Sequence, residues 1–121
     1  MYKVLIIITI FTSFCFAQEK IDNSFITKFE YGQMLYENPR GIGCHKCHGK
    51  DAKGSFIALY KDKKGTIQKV TAPNITNLTK EKFYKKLQSK KNKSKIMPTY
   101  FLTQDELDSI FFYIKNLDTN L

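Results

Sequence analysis

Cys44-His45-Lys46-Cys47-His48 is the stretch on which the reading of this chain turns. Two cysteines three positions apart on one turn of backbone can reach the two vinyl groups of a single porphyrin and close two thioethers. The histidine that follows at once brings its imidazole to the iron. The pattern predicts one covalently attached haem c, with Cys44 and Cys47 as the attachment residues and His48 as the proximal iron ligand. Competing readings lack what they need. A tetrahedral zinc site wants a second ligand pair at a distance, whereas both histidines and every cysteine beyond Cys15 lie within 44–48. A thioredoxin-like pair wants a βαβ setting, and here the pair follows a helical pattern and a glycine-rich turn.

The sixth iron position follows by elimination. No distant histidine exists, and His45, between the two cysteines, lies beside the haem edge and cannot reach the opposite face. Met34 sits among Leu35, Tyr36 and other apolar residues of a helical stretch, where core packing is the expectation. Met97 lies in an irregular segment far enough along the chain to wrap the macrocycle, and Pro98 biases it towards extended backbone. Met97 is therefore the expected distal ligand. Two protein ligands close the iron and favour outer-sphere transfer of one electron, Fe(III)/Fe(II), over activation of small molecules. No catalytic base, nucleophile or substrate pocket is suggested elsewhere, so the reading is a carrier and not an enzyme. Phe29, Tyr36, Ile75, Tyr100 and Phe101 are expected to bury the haem. Two alternatives stand beside this: a peroxidase-like or gas-binding protein with an open sixth site, and a fixed subunit of a respiratory complex.

The beginning of the chain reads as a secretory signal. Met1-Tyr2-Lys3 is followed by a short apolar run from Val4 to Phe16, and Cys15 and Ala17 satisfy the small-x-small rule for cleavage after Ala17. The run is short for a bilayer span, and bulky Phe14 before Cys15 argues against lipid attachment. Residues 1–17 are thus expected to be removed, 18–23 to form a flexible polar start, and 24–121 to make one compact domain, placed in the periplasm. The net charge of +9, of which the leader's Lys3 supplies one, favours acidic partners and fast encounter. Nucleic acid is not an expected partner for an exported protein.

Along the domain, Asn23 or Ser24 is read as the cap of a helix over about 24–37 carrying Phe25, Phe29, Gly32, Leu35 and Tyr36 at helical spacing. Asn38-Pro39-Arg40-Gly41 ends it. Ser55–Tyr60 and Thr66–Val70 are rich in β-formers around Lys61-Asp62-Lys63-Lys64-Gly65, which predicts a small hairpin insertion at about 55–71. Thr79 caps a helix over about 80–89. Thr103 and Glu106 form a capping box for a last helix with Leu107, Ile110, Phe111, Ile114 and Leu117 on its apolar face. The expected class is mainly α, three main helices around one haem.

These residues carry a family resemblance. Over most of 25–117 the chain resembles a class I monohaem cytochrome c. Gly32-Gln33-Met34-Leu35-Tyr36 is similar to the first-helix pattern whose glycine lets the last helix cross closely, and Leu107 to Ile114 is similar to that last helix, with Tyr113 at the crossing. Cys47-His48-Gly49 and Met97-Pro98 match the two ligand segments. Ala72-Pro73-Asn74-Ile75 is similar to the segment whose proline carbonyl accepts the proximal imidazole Nδ1–H, which implies that Pro73 orients His48. The 55–71 stretch is longer than in compact members, and lysines precede Met97 where relatives carry glycines.

Lys80, Lys82, Lys85, Lys86, Lys90, Lys91, Lys93 and Lys95 are opposed locally by Glu81 alone. This run is either an ordinary solvated face or a docking patch beside the haem edge. The second reading implies acidic electron-transfer partners, including a membrane-bound oxidase or reductase; the chain is expected to be a monomer when free, with peripheral or no membrane contact.

Overall fold

The computed structural model describes residues 25–89, 94 and 96–119. The leader, the polar start, the expected caps Asn23 and Ser24, and Lys90, Lys91, Lys93 and Lys95 lie outside the described residues.

Helix α1 (Lys28–Glu37) begins later than the apolar spacing predicts. Thr27 is the cap: its hydroxyl accepts from Glu30 N, and Glu30 reaches back to Thr27 N at 2.9 Å. Two orphan amides are satisfied at once, which fixes the start. Phe25 then falls outside the helix and is exposed. Gly32, Leu35 and Tyr36 form the buried edge. Met34, expected in the core, is off that edge and 57% exposed.

A four-residue helix, α2 (His45–His48), carries the cysteine motif. Strands β1 (Phe56–Lys61) and β2 (Ile67–Thr71) pair antiparallel in a two-stranded ribbon, with Tyr60 opposite Gln68 and a bulge between Phe56 and Ala58. Asp62 accepts from the amides of Lys64 and Thr66, and Gly65 supplies the positive φ (80°) that the turn requires. Helix α3 (Lys80–Gln88) follows, capped by Thr79, and α4 (Gln104–Lys115) starts at the Thr103–Glu106 capping box. A 3-10 turn, Leu117–Thr119, ends the described chain.

The core forms where α1 crosses α4. A Cβ at Gly32 would lie 2.1 Å from Ser109 O, so only hydrogen allows this approach. Tyr113 stacks between Phe29 and Tyr36, with ring centres 5.0 and 5.4 Å away. Leu107, Ile110 and Ile114 are buried beside it, each contributing about 1.5–3 kcal/mol of burial. Helix α3 packs Phe83 and Leu87 inwards. Helix α4 thus meets α1 through Ser109 and Tyr113 and α3 through Asp108 and Phe111, leaving α2, the base of the ribbon and the 96–102 segment to enclose the remaining space.

Candidate functional site

Tyr36 O accepts from Cys44 N at 2.9 Å, so the end of α1 sets the position of the motif. Helix α2 keeps Cys44 and Cys47 one turn apart, and both are half-buried. Burial pushes the Cys44 thiol up to about 11, which keeps it protonated at neutral pH. Ser55 Oγ donates to Cys47 O at 2.6 Å and Gly54 N to His48 O at 2.8 Å, tying the turn to the base of the ribbon. Gly54 itself has φ 90°, and a Cβ there would meet Ala72 O at 2.4 Å.

His48 is buried, and its Nδ1 lies 2.9 Å from Pro73 O. A carbonyl oxygen only accepts, so Nδ1 carries the proton and the Nε2 lone pair is the one left for a metal. Two connected apolar cavities of about 180 and 270 Å³ adjoin it, and Cys44, His48, Pro73, Lys86, Met97 and Tyr100 line both. Ile57 and Val70 of the ribbon close one lobe. Phe83, Leu87, Ile110 and Ile114 floor the other. Met97 is half-buried in this wall, its amide donating to Ser94 Oγ at 3.1 Å.

The donor set fits an iron porphyrin. Cys44 and Cys47 one turn apart, His48 with Nε2 as its free lone pair, and Met97 all line this apolar cleft. Among the described residues no group of three or more His, Cys, Asp or Glu side chains comes together as a metal-ion site.

Several expectations about the surroundings need correction. Tyr36, Ile75 and Tyr100 line the cleft, but Phe101 points to solvent at 88% exposure and Phe29 is used in the α1–α4 crossing instead. The Phe101 carbonyl accepts from Arg40 Nη2 at 2.9 Å. Met34 is remote from the cleft wall for the reason given above. Lys80 is not opposed by Glu81 alone: Asp108 of α4 pairs with it at 2.7 Å, and Tyr84 donates to the same carboxylate. The ammonium beside it holds Asp108 below the usual carboxylate range.

Phe83 and Leu87, which no sequence expectation places at the haem, also line the cleft. Lys82 and Lys86 reach the cleft and are not only a surface run. Phe83 and Leu87, four apart amid lysines, carried the signal that one face of this basic helix turns inward. Tyr100, its phenol pushed by burial up to about 12, stays protonated and donates to Ile42 O at 2.6 Å. His45 Nδ1 is buried without a hydrogen-bond partner among the described residues.

No helix among the described residues is long and apolar enough to cross a membrane. In comparison with known proteins, residues 29–118 match the family model described as Cytochrome c. Searches of curated proteins and of solved structures found no match.

Proposed function

Because this chain belongs to the cytochrome c family, a family of haem-based electron transfer, we propose that it is a carrier of single electrons whose iron ligands are His48 and Met97. Haem c, joined through Cys44 and Cys47, supplies the one-electron Fe(III)/Fe(II) couple when bound. The observation that carries the reading is that His48 and Met97 border the same apolar cavities.

The residues then have distinct tasks. Pro73 O holds the Nδ1 proton of His48, which fixes the ring and raises its basicity as a ligand. Pro98 limits the backbone of Met97, and Ser94 Oγ accepts its amide. Ile75, Phe83, Leu87, Ile110 and Ile114 exclude water from the interior lobe, which lowers the local dielectric and favours a neutral over a charged centre. A methionine ligand and a dry wall both raise the reduction potential. With His48 and Met97 both holding the iron, no open coordination position would be left for a substrate. Export through the 1–17 leader and a periplasmic workplace belong to the same reading. Partners would be acidic, drawn to the exposed Lys82, Lys85 and Lys86.

The test is the visible and far-red spectrum of the oxidised protein. A methionine-to-iron charge-transfer band should be present and should vanish in Met97→Ala, while Met34→Ala leaves it unchanged. An oxidised spectrum without that band in the native protein would overturn the ligand assignment. Covalent haem that survives Cys44→Ala/Cys47→Ala would overturn the attachment.

A further inference from the structure

The ribbon offers a second surface that the cleft does not use. Its inner side reaches the cleft through Ile57 and Val70. On its outer side Phe56, Leu59 and Ile67 are exposed at 54, 61 and 63%. The register sets Leu59 opposite Lys69 and Lys61 opposite Ile67, and residues two apart on a strand share a face. Lys69 Nζ lies 5.6 Å over the Phe56 ring, which brings Phe56 to that face across the bulge. Apolar and cationic side chains therefore interleave on one face of the ribbon. Lys63 and Lys64 extend the positive charge to the tip, both exposed. Asp62, the one acid in 55–71, has its carboxylate taken up by the turn: it accepts from Lys64 N, Thr66 N and Gln68 Nε2 at 2.9, 3.0 and 3.1 Å.

We propose that this outer face docks on an anionic phospholipid surface. A second copy of the chain is a poor occupant, because two ribbons face to face would set lysines against lysines. A folded protein partner is also a poor match: three apolar side chains on a two-stranded ribbon offer far less than the roughly 800 Å² per partner of a specific interface. A lipid interface needs no matching shape. It accepts Phe, Leu and Ile side chains at the acyl boundary and places the lysines among negatively charged headgroups. The base of the ribbon is bonded to the backbone of Cys47 and His48, so docking would set the orientation of the cleft to the membrane. The proposal is independent of which residues ligate iron.

The experiment is co-sedimentation of the holoprotein with vesicles of phosphatidylcholine alone and of equal parts phosphatidylcholine and phosphatidylglycerol. Binding is expected only to the second, and it should fall with added salt. Lys61→Gln/Lys69→Gln should weaken it about thirtyfold, from roughly 1 kcal/mol per lysine near the surface. Leu59→Ser/Ile67→Ser should weaken it about tenfold even at low salt. An unchanged visible spectrum certifies that each variant is folded; should the serine variant fail that check, the exposed lysine variant decides. Absence of binding to the anionic vesicles at low salt overturns the proposal. So does binding that the ribbon variants leave intact and Lys82→Gln/Lys85→Gln/Lys86→Gln abolishes, which would assign the contact to α3. Ribbon-dependent capture of an acidic protein without vesicle binding would overturn it in favour of a protein partner.

Discussion

At Gly32 an added methyl group would sit 2.1 Å from Ser109 O and 2.8 Å from Tyr113 Cβ, with backbone on one side that cannot rotate away. Gly32→Ala must therefore push α1 and α4 apart. The expected cost is about 3 kcal/mol or more, the upper end of overpacking, read as a lower denaturation midpoint with little change in slope. The importance of Gly32 was legible through the resemblance of Gly32–Tyr36 to the family's first-helix pattern, whose glycine lets the last helix cross closely. The placement of Met34 was not. Apolar neighbours in sequence suggested a core position, but on a helix only one arc is inside, and Gly32, Leu35 and Tyr36 claim it. Arg40 shows the other limit. Its guanidinium bonds both oxygens of Glu106 at 2.6 and 2.9 Å across 66 positions of chain, and no local pattern announces a pair so distant.

Among the elements, α4 was read correctly down to its first residue because Thr103 and Glu106 satisfy each other's backbone amides. The same device at Thr27 and Glu30 was overlooked, since Phe25 continues the apolar spacing beyond the cap and conceals it. The ribbon was legible from its β-formers and Gly65, whereas its bulge depends on tertiary placement. Glu106 serves both α4 and the Arg40 loop. The Arg40 hydrogen bonds, with those from Thr103, hold its carboxyl down from 4.5 to about 2. A group with a depressed folded pKa contributes stability that is full above its unfolded pKa and lost as pH falls through the folded one. Glu106→Gln should therefore lower stability by about 1–2 kcal/mol at neutral pH. The difference between variant and native protein should shrink as pH falls from 4.5 towards about 2, a trend that chemical denaturation at a series of pH values would measure. A constant difference across that range would show that the charge of Glu106 is not what matters.

For the whole molecule, 20 basic residues against 11 acidic ones make the surface strongly positive. The described acids are partly committed inside the fold: Glu106 to Arg40, Asp108 to Lys80 and Asp62 to its turn. Lys82, Lys85 and Lys86 face solvent near the cleft. Association with an acidic redox partner should slow about tenfold or more when ionic strength is raised from a few millimolar to physiological, as the screening length contracts to about 8 Å. Stopped-flow rates over a salt series would register this, and a flat profile would deny the lysines a steering role. The crossing of α1 with α4 has a further consequence. These helices lie at opposite ends of the domain in sequence, yet each supplies half of one contact. A chain made from its N-terminus exposes Cys44 and Cys47 before Leu107, Ile110 and Tyr113 have been synthesised. Until then nothing from α4 can floor the cleft. A chain whose last helix has not yet docked therefore leaves Cys44 and Cys47 open to the haem, and docking of that helix closes the domain behind it.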